Sequence, residues 1–257
     1  GDDSVKPHFC SILPVPDLLK VKELLVVQPH PDDMEIGAGA TIARLIESGT
    51  RVTCLTVTDG SVGTTDAAVS QDDLSVIRRS ETERSADIIG IENLIWLDFA
   101  DGGILPLEII RSEMTGFIRR LKPEAVMVCD PWLPYEAHSD HVRTGLAAAE
   151  AVLLAHMPHF CPADLQDGLS PHAVEMIIFY YTAYPNTFID VTATWDKKIA
   201  AIDCHASQFP AGQGDKLKQY LRAKAQEQAQ DQDGELVEAL KVLSPGHLHI
   251  FEHAWQC

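Results

Sequence analysis

Several things are missing from this chain. No run of 18 or more apolar residues occurs, so no segment has the length of a membrane-crossing helix. Basic residues are scarce: 20 Lys and Arg stand against 38 Asp and Glu, a net charge of −18. That surface repels phosphate backbones and anionic membranes, which excludes nucleic acid as an expected partner. The six cysteines, at 10, 54, 129, 161, 204 and 257, form no C-x-x-C pair and no regular spacing. With Cys54 and Cys129 inside apolar strand-like runs, all six read as free thiols of a reducing, cytoplasmic compartment. Gly1-Asp2-Asp3 begins without a basic region or an apolar stretch, so no secretory leader is expected, and Gly1 reads as a processing remnant. No internal repeat is evident.

What is present is an alternation of strands and helices. With 257 residues, 46% of them hydrophobic, the chain can build one large domain, read as 1–257, with a core over about 22–208 and an appendage over about 209–257. After an irregular start over 1–20, residues 23–28 and 51–58 read as strands. Residues 36–48, 74–90 and 107–121 read as helices, with short strands at 94–97 and 125–129 and a helix near 138–155. The proline-bearing stretch 157–172 reads as a lid or a surface loop. Strands at 174–181 and 188–191, a helix at 194–207 and a polar helix within 212–234 follow, before 236–243 and an apolar tail. Such alternation calls for an α/β fold: a Rossmann-like three-layer sandwich with a mostly parallel sheet and extra C-terminal strands and helices. Ligands in such sheets bind beyond the carboxyl ends of the strands.

Two motifs fall at those ends. His30-Pro-Asp-Asp33 follows the first strand, and His138-Ser-Asp-His141 opens the helix after the fourth. Neutral imidazole and carboxylate oxygen suit a divalent cation. His30 and Asp33 form a natural ligand pair, which leaves Asp32 for proton transfer. Read alone, the first motif is equally a loop histidine with helix-capping acids. In the second, one histidine can bind metal while the other, protonated, stabilises an oxyanion, and Asp140 can orient a histidine. Read alone, it is equally a polar turn. Glu35 reads as structural, complementing the helix N-terminus.

These residues resemble the LmbE-like (PIG-L) zinc deacetylases, which remove acetyl groups from N-acetylglucosamine conjugates. The resemblance runs over most of 22–208. It includes Thr58-Asp-Gly-Ser-Val-Gly-Thr64, Ile77-Arg-Arg-Ser-Glu81, Asp101-Gly102 and His205-Ala-Ser-Gln208. It implies His30, Asp33 and His141 as ligands of Zn²⁺, with Fe²⁺ or Co²⁺ fitting the same set. Asp32 would be the general base, His138 the cation facing the oxyanion, and Asp140 its support. Arg78 and Asp101 would contact sugar hydroxyls, although Arg78 also reads as a helix-surface charge paired with Glu81. The implied enzyme is a zinc-dependent N-deacetylase of a small amino-sugar conjugate, without a membrane span and with a homo-oligomer possible. The alternatives are a metal-dependent amidase of another small amide and a non-catalytic binder of the same fold.

Departures from the family pattern are visible. Ser61 follows Gly60 where Glu is frequent, and Gln28 stands where a small residue is usual. Glu136, beside Tyr135, occupies the place of a tyrosine that assists the oxyanion in one branch. Gly37-Ala-Gly39 hints only weakly at a dinucleotide loop. His205 reads as helix-end packing, and Phe179-Tyr180-Tyr181 as core strand.

Overall fold

Leucine- and valine-rich runs place four buried strands side by side in a computed structural model, which describes residues 8–209 and 212–257 apart from the side chains of His8, Phe9 and Gln213. The expected irregular start lies partly outside them, at residues 1–7. A short helix α1 (His8–Ile12) precedes β1 (Glu23–Gln28), α2 (Asp33–Glu47), β2 (Arg51–Thr58), α3 (Gln71–Ile89), β3 (Asn93–Phe99), α4 (Leu107–Leu121), β4 (Ala125–Cys129) and α5 (Ser139–Leu154). Then come α6 (Ala163–Gln166), β5 (Met176–Tyr180), β6 (Thr187–Asp190), α7 (Trp195–Asp203), α8 (Gln213–Gln228) and β7 (Val237–Leu243). The seven strands are ordered β3-β2-β1-β4-β5-β7-β6. β1 to β5 pair in parallel, and β7 runs antiparallel to both its neighbours. Helices α2, α3 and α7 pack together, as do α4 and α5, giving the three layers of an α/β sandwich.

The order reverses direction at β1 and β4. Chain leaving β1 turns to one side and chain leaving β4 to the other, so a crevice opens between their carboxyl ends. Both histidine motifs sit there. Gly145 lets α5 close on this point: a Cβ would lie 2.6 Å from the Cys129 carbonyl oxygen and 2.8 Å from Pro131 Cδ. Any side chain at 145 would push away the first turn of α5, which carries His141. Gly37 has a similar purpose in α2, where a Cβ would sit 2.3 Å from the Tyr180 ring. Close packing, rather than a dinucleotide, explains that glycine.

Two expectations change. Cys10 and Cys257 form a disulfide with a Cα–Cα distance of 5.4 Å. Only Cys54, Cys129, Cys161 and Cys204 are free, so the reading of six thiols is corrected. The pairing spans 247 residues, and no local spacing announces it. The second change concerns residues 209–257. They are no mere attachment, because β7 fills the place between β5 and β6, with Phe179 opposite Lys241.

The stretch 157–172 is tied down from below. Arg119, 0% exposed, donates to the carbonyls of Ala155, Met157, Phe160 and Cys161 and to the Asp164 carboxylate, at 2.6–3.1 Å. A segment pinned by one buried guanidinium is a fixed buttress rather than a lid. Among the described residues no helix is long and apolar enough to cross a membrane.

Candidate metal centre at the carboxyl end of the sheet

Helix α2 begins at Asp33, three residues before the hydrophobic periodicity suggests, because the motif itself supplies the helix start. Gln28 supports that start: its Oε1 accepts from the Met34 amide at 3.2 Å, and its Nε2 donates to Thr56 at 2.9 Å. Asp32, at the N-cap, holds φ +122°, a conformation that L-residues avoid and that structures keep where function requires it. Arg78 fixes it. Its Nη2 lies 3.3 Å from Asp32 Oδ2 and donates to the Pro31 carbonyl at 2.5 Å, while Nη1 donates to the Gly60 carbonyl at 3.1 Å. Arg78 is therefore buried and not a surface charge. Glu81, its supposed partner, instead accepts from the amide and hydroxyl of Ser207.

Asp33 Oδ2 is the hub. His30 Nδ1 lies 3.2 Å away and His141 Nε2 3.3 Å away. Zinc bonds of about 2.0–2.1 Å arranged tetrahedrally place neighbouring donor atoms roughly 3.3 Å apart, so both measured edges fit one cation. The opposite edge of His30 is held too: Nε2 lies 3.2 Å from both Asp101 Oδ1 and Asp140 Oδ2. Carboxylates behind a ligating imidazole orient it and raise its basicity. His141 has an equivalent in Glu136, whose Oε2 lies 3.4 Å from Nδ1. That Nδ1 is buried without a hydrogen bond of good geometry, so the attraction is one of charge. Among the described residues, His30 with Asp33 and His141, and His30 with Asp101, His138 and Asp140, are the two groups whose donor atoms converge closely enough to hold a cation.

The carboxylates and imidazoles set one another's titration. Burial pulls the His30 pKa down, but hydrogen bonds with Asp101, Asp140 and Asp33 outweigh it and push it up to about 12. Burial raises Asp33, yet its bonds to His141 and His30 hold it well below the ordinary carboxylate range. Asp32 differs. Burial raises its pKa, Arg78 opposes this, and Asp33 and Glu35 add repulsion, leaving it at about 7.

His138 caps α5, its Nδ1 accepting from the Asp140 amide at 3.3 Å. The neutral ring therefore carries its proton on Nε2. Burial and the charges of His30 and His141 lower its pKa. The close contacts of the Asp140 carboxylate are His30 and the Gly102 amide.

Glu136 and Tyr181 escaped the sequence reading as site residues. The Tyr181 hydroxyl donates to the Asp33 carbonyl at 3.0 Å, and its ring lies parallel to that of His141. A non-glycine φ of +56° just past β5 turns it there. Nothing local in Phe179-Tyr180-Tyr181 marks that turn. Glu35 and His205 are both fully buried and pair at 2.9 Å, with Ser85 also donating to Glu35. Glu35, in the first turn of α2, thus serves structure chiefly through His205.

Comparison with known proteins now decides the family. The model "PIG-L: GlcNAc-PI de-N-acetylase" matches residues 25–152. A diacetylchitobiose deacetylase of Thermococcus kodakarensis is 43% identical over 202 residues, covering 79% of this chain and 76% of that protein. The chain belongs to the PIG-L (LmbE-like) family. The structure of an N,N'-diacetylchitobiose deacetylase from Pyrococcus horikoshii superposes with a TM-score of 0.87 at 37% identity, covering 91% of this chain and 88% of that one. The family is broader than deacetylation: a 4-oxalmesaconate hydratase of Pseudomonas putida is 28% identical, covering 73% of this chain and 74% of that protein.

Proposed function

We propose that the chain is a metal-dependent N-deacetylase that removes the acetyl group from an N-acetylglucosamine-type sugar conjugate. The observation that carries this reading is the Asp33 oxygen flanked by two imidazole nitrogens at 3.2 and 3.3 Å, with the Asp32 carboxylate beside them. The similarity supports deacetylation over hydration, at 43% against 28% identity. His30, Asp33 and His141 would hold Zn²⁺, with Fe²⁺ or Co²⁺ suited to the same donors. When bound, such a cation polarises the amide carbonyl and makes water more acidic.

The remaining steps belong to the chain's own residues. Asp32 takes a proton from the attacking water at a carboxylate oxygen and later passes it to the leaving amine. A pKa near 7 suits both transfers. His138 donates from Nε2 to the oxyanion that develops on the former carbonyl oxygen. Asp140, with Asp101, holds His30, and Glu136 and Tyr181 hold His141 and Asp33. Arg78 and Asp101 are the candidates for sugar hydroxyls, Arg78 through its buried, unpartnered Nε.

The whole chain acts as one unit in this reading, on a small amino-sugar conjugate, as a single copy or a homo-oligomer. A cytoplasmic location rests on the four free thiols alone. The test is acetate release by metal-loaded protein from a panel of N-acetylglucosamine conjugates, beside non-sugar acetamides. Release from the sugars alone is expected. Release from the acetamides alone would replace this reading with the amidase, and release from neither would remove it.

A further inference from the structure

Helices α2 and α5 both start at a residue of the candidate site, and their first amides are satisfied in different ways. Those amides have no partner inside a helix. The N-cap side chain normally accepts from the second or third of them. In α5 the N-cap is His138, and its Nδ1 accepts from the Asp140 amide, second in the helix, at 3.3 Å. An imidazole has another nitrogen, so Nε2 is left over. In α2 the N-cap is Asp32, a residue type strongly favoured at that position. Yet its side chain makes no capping hydrogen bond.

The amide that Asp32 forgoes is that of Met34, second in α2 and 0% exposed. A buried N–H without a partner is costly. Gln28 supplies the partner, its Oε1 accepting at 3.2 Å from six residues away in sequence. Gln28 is the last residue of β1 and is itself fully buried. Thr56, opposite it on β2, fixes which way its amide group faces: Oγ1 accepts from Nε2 at 2.9 Å, so Oε1 is left for Met34. The four strand residues before it, Leu24-Leu25-Val26-Val27, are all apolar. A buried glutamine closing such a run is tolerated because both ends of its amide are bonded.

Asp32 is thereby released from the usual duty of its position. Its φ of +122° departs from the extended conformation of ordinary N-caps, and its Oδ2 lies 3.3 Å from Arg78 Nη2. Without the glutamine oxygen, the Met34 amide would have the Asp32 carboxylate as its natural acceptor, and a carboxylate turned to the helix start is turned from the site.

We propose that Gln28 is a positioning residue that caps α2 in place of Asp32, so that the Asp32 carboxylate stays directed at the reacting water. Its effect on rate rests on the deacetylase reading above; the exchange of caps does not.

The test uses zinc-loaded wild type, Gln28→Met and Gln28→Leu, two apolar replacements without an acceptor oxygen, either of which carries it if folded. For acetate release from an N-acetylglucosamine conjugate, kcat should fall about 10- to 100-fold, as for a misplaced reacting group. KM should stay within about twofold, with one equivalent of zinc retained. An unchanged kcat, or loss of the zinc, would overturn the proposal. In an Asp32→Asn background the same substitutions should alter the residual kcat by less than about twofold, because their effect passes through the missing carboxylate. An equal loss in both backgrounds would overturn it as well. Crystal structures of the variants read the geometry without substrate. The Asp32 carboxylate should move from Arg78 to accept from the Met34 amide. An unmoved carboxylate would sink the proposal even in an active enzyme. A moved one would support the exchange of caps even if wild type releases no acetate, in which case the deacetylase reading alone fails.

Discussion

Two buried charged clusters in this molecule are built in opposite ways. Around Arg119, one cation meets four carbonyl oxygens and one carboxylate, and its donors are occupied from all sides. At the carboxyl ends of β1 and β4 the arrangement is reversed. Asp33, Asp101 and Asp140 crowd one imidazole, Glu136 sits against another, and the His141 Nδ1 atom is left without a good partner. Satisfied clusters hold a fold together. A cluster short of positive charge is built for a guest. The comparison also separates their neighbours: the Arg119 cage fixes a loop, whereas the second cluster keeps Asp32 in a backbone conformation that costs free energy and a protonation state balanced near neutrality.

The sharpest way to separate the two is to alter chemistry without altering charge balance at the ligands. Asp32→Asn should retain the cation and lose turnover by about 10² to 10⁴, measured as acetate release by metal-quantified protein. Normal turnover would remove Asp32 as the base. Next in size is the structural cluster. Arg119→Ala should lower stability by about 3–5 kcal/mol, because a buried array loses its only cation, and should leave metal affinity unchanged. Chemical denaturation beside metal titration checks both halves, and an equal loss in both would merge the clusters into one network. Smaller still is the effect of Glu136→Gln. Support behind a ligating imidazole typically contributes 10–100-fold in metal affinity, so a competition titration should show a loss in that range. No change would remove Glu136 as a support of the His141 ring.

Much of the candidate metal cluster's geometry was legible because its parts are local. A histidine, a proline that fixes the turn and two carboxylates are contiguous at 30–33, and the second motif is contiguous at 138–141. Strand-helix alternation was enough to put both at one end of a parallel sheet, and α4 and β4 begin and end at the expected residues. The unread parts depend on contacts distant in sequence. Tyr181 reaches Asp33 across 148 residues and Arg119 reaches Asp164 across 45. Insertion of β7 between β5 and β6 depends on the antiparallel register alone. The start of α2 was placed too late because polar residues 33–35 hide a helical turn from hydrophobic periodicity.

The central claim is that His30, Asp33 and His141 form a cation site. Metal content after dialysis against limiting Zn²⁺, measured by plasma emission on wild type, Asp32→Asn, His30→Ala and His141→Ala, addresses it most directly. The account predicts one equivalent in wild type and Asp32→Asn and none in either histidine variant. A full equivalent retained by both histidine variants would contradict it.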